Sequence, residues 1–212
     1  MNYNFARILA LAPHTDDVEL GAGGTIAKWI EEGKELFYVT FSIAEKSVPK
    51  GLPKDTLEHE MKRATKVLGI PAENLIIHRF EVRRLPEFRQ DILEILIDLR
   101  EKLKPELVLL PSINDLHQDH HTIAEEGIRA FKYINTLSYE LPWNQLSSNP
   151  SLFVVLEERH LDKKVRAMEC YQSQKHRHYA NREFVYGLAR TRGTQVNAQY
   201  AEAFEIIRWI IR

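Results

Sequence analysis

The chain has 212 residues, 44% of them hydrophobic, and its 29 basic and 30 acidic residues give a formal net charge of -1. This length and composition suit one globular domain over residues 1–212, and the balanced charge argues against a nucleic-acid partner. Cys170 is the one cysteine, which excludes an intramolecular disulfide and a thiolate metal cluster within the chain and indicates a reducing compartment.

No targeting or membrane-spanning pattern is present in the sequence. Residues 1–7 lack the basic start, apolar stretch and small-residue cleavage site of a signal peptide. No apolar run approaches the ~20 residues that a transmembrane helix needs. We therefore expect a cytoplasmic protein with no membrane span, and the oligomeric state stays open, a homo-oligomer included.

Strands and helices are predicted to alternate along most of the chain. Short apolar runs predict strands at 8–11, 36–41, 75–77 and 107–111, and periodic segments predict helices at 25–30, 58–68, 86–103 and 122–131. Further on, we expect strands near 137–140 and 152–156, a helix over 161–171, and a closing strand or helix over 201–211. This alternation predicts an α/β fold with a mostly parallel sheet. The long loop at 42–55 is either a substrate lid or a mobile surface connection.

The first predicted strand ends in a stretch that combines a histidine, two adjacent carboxylates and three glycines. These residues are His14, Asp16 and Asp17, followed by Gly21, Gly23 and Gly24. Parallel sheets place their ligands at this edge, and we expect the glycines to turn the backbone tightly before the helix begins. They are no dinucleotide fingerprint, because Ile26 stands where the last glycine would be needed. A nicotinamide cofactor is therefore not expected.

The predicted strand at 107–111 also runs into a polar loop, which holds Asp115, His117, Asp119, His120 and His121. In a wound sheet this loop and the loop after the first strand can lie side by side. Clustered carboxylates repel one another unless a cation lies among them. Because catalytic zinc takes three imidazole or carboxylate ligands and a water, we predict a metal site formed by His14, Asp17 and His120.

Two neighbouring residues have suitable catalytic roles at this site. The metal lowers the pKa of its water toward ~7, and Asp16 can accept a proton from that water as general base. His117 can stabilise a developing oxyanion or protonate a leaving amine. Asp115 or Asp119 could orient the histidine rings from behind, whereas His121 is expected on the surface at the start of a helix.

Residues 13–25, together with the segment His117-Gln118-Asp119-His120, resemble the LmbE/PIG-L family of zinc-dependent deacetylases, which remove acetyl groups from N-acetylglucosamine-containing substrates. Weaker similarities lie at Glu60, Ala64, 68–69, 104–105, 171–174 and 201–204. The resemblance implies a Rossmann-like fold with helices on both faces. It also implies the same roles, with His14, Asp17 and His120 on the metal, Asp16 as base and His117 as the polarising group.

Two positions depart from the family pattern. Thr15 stands where the family usually has proline, a change that should affect loop stiffness more than metal ligation. Leu57 stands where many members have an arginine three residues before the helix glutamate. The substrate contact that this arginine makes in those members is therefore not assigned to this chain.

We therefore predict a zinc-dependent N-deacetylase that hydrolyses an acetamide on a small amino-sugar substrate. Fe(II) would accept the same ligands. Residues that could contact the substrate, or that could equally form surface ion pairs or packing contacts, are Arg79, Arg83, Arg84, Tyr139, Trp143 and Arg192. A metal-dependent phosphoesterase and a non-catalytic sugar- or metal-binding module are the alternatives.

Overall fold

One seven-stranded sheet runs through the computed structural model, which describes residues 5–211. Its strands are β1 (Arg7–Ala12), β2 (Glu35–Thr40), β3 (Leu75–Ile77), β4 (Leu107–Pro111), β5 (Asn135–Tyr139), β6 (Leu152–Leu156) and β7 (Tyr200–Arg208). They lie in the order β3-β2-β1-β4-β5-β7-β6. Strands β1 to β5 pair in parallel, and β7 is antiparallel to both β5 and β6. The predicted mostly parallel sheet is confirmed.

Within residues 5–211, six α-helices cover the two faces of this sheet. They are α1 (Asp17–Glu31), α2 (Thr56–Leu68), α3 (Arg89–Leu103), α4 (Gln118–Ala130), α5 (Glu158–Met168) and α6 (Arg182–Thr194). Successive side chains of a strand point to opposite faces. Ile8 and Ala10 accordingly pack with α1, α2, α5 and α6, whereas Leu9 and Leu11 pack with α3 and α4. Helices on both faces are therefore confirmed, and β1 is a central strand that is fully buried from Ile8 to Ala12.

The ends of the chain mark the limits of this description. Residues 1–4, which open the segment searched for a signal peptide, and residue 212 lie outside the described residues. The boundaries of the predicted 1–212 domain therefore stay predictions. None of the helices within residues 5–211 is both long and apolar enough to cross a membrane.

The closing segment forms β7, and one helix, α6, was not predicted from the sequence. The buried residues of α6 are Val185, Ala189 and Gly193. The apolar residues of the segment are confined to positions 184–189 and are flanked by polar residues, so the apolar pattern is too short to identify a helix from the sequence.

The expectation that the glycines after Asp17 form a turn before the helix was wrong. Helix α1 begins at Asp17, so Gly21 and Gly24 lie inside it. A Cβ atom at Gly21 would lie 2.4 Å from Cδ2 of Tyr139, and one at Gly24 would lie 2.6 Å from Cδ1 of Leu156. These glycines therefore allow the helix to approach the sheet closely, which is a packing role that the sequence alone does not distinguish from a turn.

Gly21→Ala is expected to destabilise the protein by ~1–3 kcal/mol, because the added methyl group meets a buried ring in a well-packed core. Gly187→Ala in α6 is the matched control, since a Cβ atom there meets nothing within 4 Å. That control should change stability little or raise it by up to ~1 kcal/mol, because alanine favours helix. Urea unfolding of both variants measures the difference, and equal effects would contradict the packing role.

The order of the strands opens a crevice between β1 and β4. These two strands are neighbours and parallel. The chain leaves β1 into α1 on one face and leaves β4 into α4 on the other. Such a switch point separates the loops at the carboxyl ends of the strands and makes room for a ligand. The two His- and Asp-rich loops therefore meet at this point.

Candidate metal centre

Three side-chain atoms from the two loops converge at the switch point. Nδ1 of His14 lies 3.2 Å from Oδ2 of Asp17 and 3.1 Å from Nε2 of His120. Nε2 of His120 lies 3.3 Å from the same oxygen of Asp17. Ligands bonded at ~2.0–2.1 Å to a tetrahedral ion are ~3.3–3.4 Å apart. The three atoms thus have nearly the mutual separations of ligands on a single ion.

The hydrogen bonds behind the histidine rings leave their inner nitrogens free to bind a cation. Nε2 of His14 contacts Oδ2 of Asp119 at 2.8 Å, and Nδ1 of His120 contacts Oδ2 of Asp115 at 2.8 Å. A carboxylate only accepts, so each ring donates from this outer nitrogen and the neutral ring has its lone pair on the inner one. The lone pairs of His14, His120 and Asp17 then face one another, and this donor set fits a bound cation. Both carboxylates that the sequence suggested as ring partners lie against the rings.

The local structure explains why these side chains converge. His14 is in the loop after β1, and its N–H donates to Oδ2 of Asp17 at 2.8 Å, at the start of α1. His120 lies in the first turn of α4. The exposed His121 beside it pairs with Glu125, which agrees with the predicted surface position.

The electric field at this point favours positive charge. Burial raises the pKa of Asp17, but His120 and His14 outweigh it and hold that pKa well below its usual range. Burial lowers the pKa of His120, yet Asp17 and Asp115 raise it to about 10. The same carboxylates that favour a proton on His120 would attract a metal ion.

The neighbouring carboxylate, Asp16, is directed elsewhere. It lines the cleft above the converging atoms, and its Oδ2 lies 3.3 Å from Nη1 of Arg177. Burial and the adjacent charge of Asp17 raise the pKa of Asp16. The adjacent carboxylates are thus in different surroundings, Asp17 between two histidines and Asp16 beside an arginine.

His117, the N-cap residue of α4, has a neutral ring. Burial and the nearby His14 and His120 lower its pKa to about 4. Its Nδ1 accepts a hydrogen bond from the N–H of Asp119 at 3.1 Å, so the ring hydrogen lies on Nε2. One ligand atom from each of His14, His117 and His120 also lies within 4.8 Å of the others, so these three rings could hold an ion as well. The set with Asp17 is the tighter of the two.

An open cleft of about 780 Å³, counted to its mouth, leads to these residues. Part of this volume is open solvent at the mouth of the cleft. Beyond the metal-centre residues, its walls include Leu57, Val82, Arg83, Trp143, Asn144, Gln174, Arg177 and Tyr179. Trp143 and Tyr179 stack face to face, with ring centroids 3.9 Å apart.

Of the six predicted substrate contacts, Arg83 and Trp143 line the cleft. Arg84 forms an ion pair with Glu87 outside the cleft wall. Tyr139 is fully buried, and its hydroxyl donates to the carbonyl of Leu11 at 2.9 Å. Arg192 and Glu140 form an ion pair at 2.6 Å, and Arg79 pairs with Glu58. Arg79, Arg84, Tyr139 and Arg192 therefore have packing or ion-pair partners within the protein, and a substrate contact by any of the six residues stays a prediction.

Sequence reasoning missed two cleft residues in the segment after α5, Arg177 and Tyr179. The similarity at 171–174 was the nearest signal. Glu60 of α2 holds this segment in place, because its carboxylate accepts hydrogen bonds from the N–H and the hydroxyl of Ser173 at 2.9 and 2.6 Å. This long-range contact brings a late segment over the site.

Asp115→Ala is expected to weaken metal binding by ~10–100-fold, as is usual when the partner of a ligating histidine is removed. His121→Ala is the matched control. The exposed ring of His121 lies in the same turn of α4 as His120, but it is not one of the three side chains that converge on the metal position. Competition with a coloured chelator measures both affinities. An unchanged affinity in the Asp115 variant would contradict the role of this carboxylate.

The family comparison covers the part of the chain that forms this centre. The family described as PIG-L: GlcNAc-PI de-N-acetylase matches residues 9–131, a span that includes both loops of the centre. The chain belongs to the PIG-L family. Within this PIG-L chain, Trp143, Arg177 and Tyr179 lie beyond the matched span.

Individual relatives of this PIG-L chain agree with the family match. It is 26% identical over 172 residues to the uncharacterized deacetylase YaiS of Escherichia coli, covering 78% of this chain and 90% of the relative. It is 25% identical over 191 residues to a diacetylchitobiose deacetylase of Thermococcus kodakarensis, covering 79% of this chain and 70% of that relative. The crystal structure of GalB, the 4-carboxy-2-hydroxymuconate hydratase of Pseudomonas putida, superposes with a TM-score of 0.80 at 22% identity. The superposition covers 97% of this chain and 98% of GalB. That last similarity shows the shared fold.

Proposed function

We propose that this protein is a metal-dependent hydrolase that removes an N-acetyl group from an amino-sugar substrate. The observation that carries the proposal is the convergence of lone pairs from His14, Asp17 and His120 within 3.1–3.3 Å, with Asp16 beside them at the open cleft. The YaiS and diacetylchitobiose relatives are described as deacetylases, which supports the same reaction class.

The donor set of two imidazoles and one carboxylate suits zinc, and Fe(II) would accept it as well. A bound ion of this kind lowers the pKa of a water molecule and polarises a carbonyl group. His14, Asp17 and His120 would hold it, with Asp119 and Asp115 fixing the two rings behind them.

The remaining residues of the site supply proton transfer and orientation. Asp16 accepts the proton of the water that attacks the acetamide carbon, and Arg177 holds its carboxylate toward the cleft. His117 donates its Nε2 hydrogen to the carbonyl oxygen as negative charge develops there. The carbon–nitrogen bond then breaks, the nitrogen takes up the proton, and acetate and a free amine result.

The aromatic wall formed by Trp143 and Tyr179 gives the cleft a surface on which a sugar ring can pack. Aromatic rings offer a large apolar area at low cost in side-chain entropy. This wall supports an amino sugar as the substrate, since both rings line the same cleft as Asp16.

An acetate-release assay on a panel of N-acetylated sugars, sugar phosphates and glycosides tests the proposal, with metal content measured on the same sample. Acetate release that stops after chelation and returns with zinc or Fe(II) is the expected result. Stoichiometric metal without acetate release from any substrate would overturn it and favour a binding module.

A phosphoesterase is the enzyme alternative, and such enzymes commonly use paired metals. Within residues 5–211, the histidines and acids that meet the geometry of an ion site all belong to this one cluster, in which His14 and His120 converge with either Asp17 or His117. Manganese-dependent hydrolysis of phosphodiesters, without acetate release, would favour the alternative.

A further inference from the structure

Arg83 lies in the segment between β3 and α3 and lines the cleft. Its backbone has φ = +69°, in the left-handed region that side chains other than glycine and asparagine rarely adopt. A position that required the turn alone would be less strained with glycine or asparagine. An arginine held in this conformation at the wall of a site indicates that its side chain has a use there.

The metal centre itself holds this strained residue in place. The buried carboxylate of Asp119 accepts hydrogen bonds from the N–H groups of Arg83 and Leu85, and it also contacts Nε2 of His14. The side chain of Gln118 donates to the carbonyl of Arg83 at 3.3 Å. One carboxylate therefore fixes both a histidine of the metal centre and the backbone from which the arginine projects.

The guanidinium of Arg83 is available to a ligand. Among the described residues, 5–211, it forms no ion pair or hydrogen bond. Arg177, which also lines the cleft, is paired with Asp16 instead. Arg84, next in the chain, is paired with Glu87. An unpaired guanidinium in a cleft is suited to a phosphate or a carboxylate, which it can bind through two parallel hydrogen bonds.

The apolar residues of the cleft wall explain why an arginine at this position matters. Leu57 and Val82 line the cleft as well, and neither can bind an anion. The position at which many relatives are expected to carry an arginine is thus apolar here. Arg83 is the unpaired cation of the cleft within the described residues, and it belongs to a different segment.

We propose that Arg83 binds an anionic group of the substrate, so that the preferred substrate is an N-acetylated amino sugar bearing a phosphate or a carboxylate. This inference rests on the proposed function and names the substrate class of the same site. Arg83 contacts the substituent rather than the acetamide, so its removal should affect recognition and leave the chemistry of the acetamide intact.

The test compares neutral and anionic substrates in the wild type and in Arg83→Asn, because asparagine tolerates the left-handed conformation and should preserve the fold. The substrates are N-acetylglucosamine, its 1-phosphate, its 6-phosphate and N-acetylmuramic acid, which distinguish the position and the kind of anion. The wild type should prefer at least one anionic sugar. Arg83→Asn should lower kcat/KM for that sugar by about 10- to 100-fold, with little change for the neutral sugar.

Two further variants sharpen the result. Arg83→Lys keeps the charge but not the two-point geometry, so it should retain part of the preference. Arg89→Gln removes the same charge from a residue outside the cleft wall, where the guanidinium pairs with Glu126, and should behave as the wild type. Equal losses on neutral and anionic sugars, or no anionic preference in the wild type, would overturn the proposal.

Failure of the proposed function would look different, because it would remove acetate release from every substrate. Calorimetric titration with the same sugar phosphates then measures their affinity for each variant and tests the role of Arg83 in binding, without requiring turnover. Weaker binding to Arg83→Asn than to the wild type would support the anion contact. Equal binding to the two proteins, or no binding to the wild type, would overturn it.

Discussion

Asp16→Asn is expected to abolish turnover while leaving the metal bound. Asparagine keeps the size of the side chain but cannot accept a proton from water, and a general base contributes ~10²–10⁴-fold to the rate. Asp16 lies outside the three converging atoms, so metal affinity should not fall. Steady-state acetate release and metal content, measured on the same preparation, check both halves of the prediction.

The control for this variant is Arg177→Gln, which removes the ion pair with Asp16 but leaves the carboxylate. It should reduce kcat less than Asp16→Asn does, because the base is still present though less firmly oriented. Full activity of Asp16→Asn would remove this residue as the base. Loss of metal in that variant would place it among the ligands instead.

Asp17→Asn is expected to differ from Asp16→Asn in its effect on the metal, because it should lose the metal together with the activity. The charge that holds two histidine nitrogens at 3.2 and 3.3 Å disappears, and a direct ligand becomes a neutral amide. Metal affinity should fall by more than the ~10–100-fold that follows loss of an outer partner. The rise in melting temperature on adding zinc should shrink with it, since a ligand stabilises only the state it binds.

Comparison with His117→Gln separates the two ligand sets that the geometry allows. If His14, Asp17 and His120 hold the ion, His117→Gln should keep its metal and lose rate. If the three histidines hold it, His117→Gln should lose the metal and Asp17→Asn should keep it. The second pattern would contradict the assignment of Asp17.

The fold was largely predictable because its signals are local. Apolar runs bounded by turn residues predicted β1, β2, β3 and β4, and their alternation with helices predicted the parallel sheet. Helix α6 was missed because its apolar residues are confined to positions 184–189, which is too short a pattern to identify a helix. Its position depends on packing against β7, which no local pattern reveals.

The cluster of histidines and aspartates could be predicted, because such residues seldom gather at the ends of two strands without a function. Histidines and aspartates at the ends of two predicted strands suggest a cation, and strand order then brings them to one crevice. The outer walls of the cleft could not be predicted, because Trp143, Arg177 and Tyr179 come from late segments whose approach depends on long-range contacts such as Glu60 with Ser173.

By itself, the sequence determined the class of fold and the two His- and Asp-rich loops at the switch point, and it predicted which residues would bind the metal and which would act as base. The tertiary structure alone decided how those residues are used. In the structure, the glycines after Asp17 lie in a tightly packed helix and not in the predicted turn, and Tyr139 and Leu156 leave no room for a Cβ atom at Gly21 and Gly24. The tertiary structure also gave Arg84 and Arg192 acidic partners and left Arg83 facing the cleft, since burial and pairing depend on residues distant in the chain.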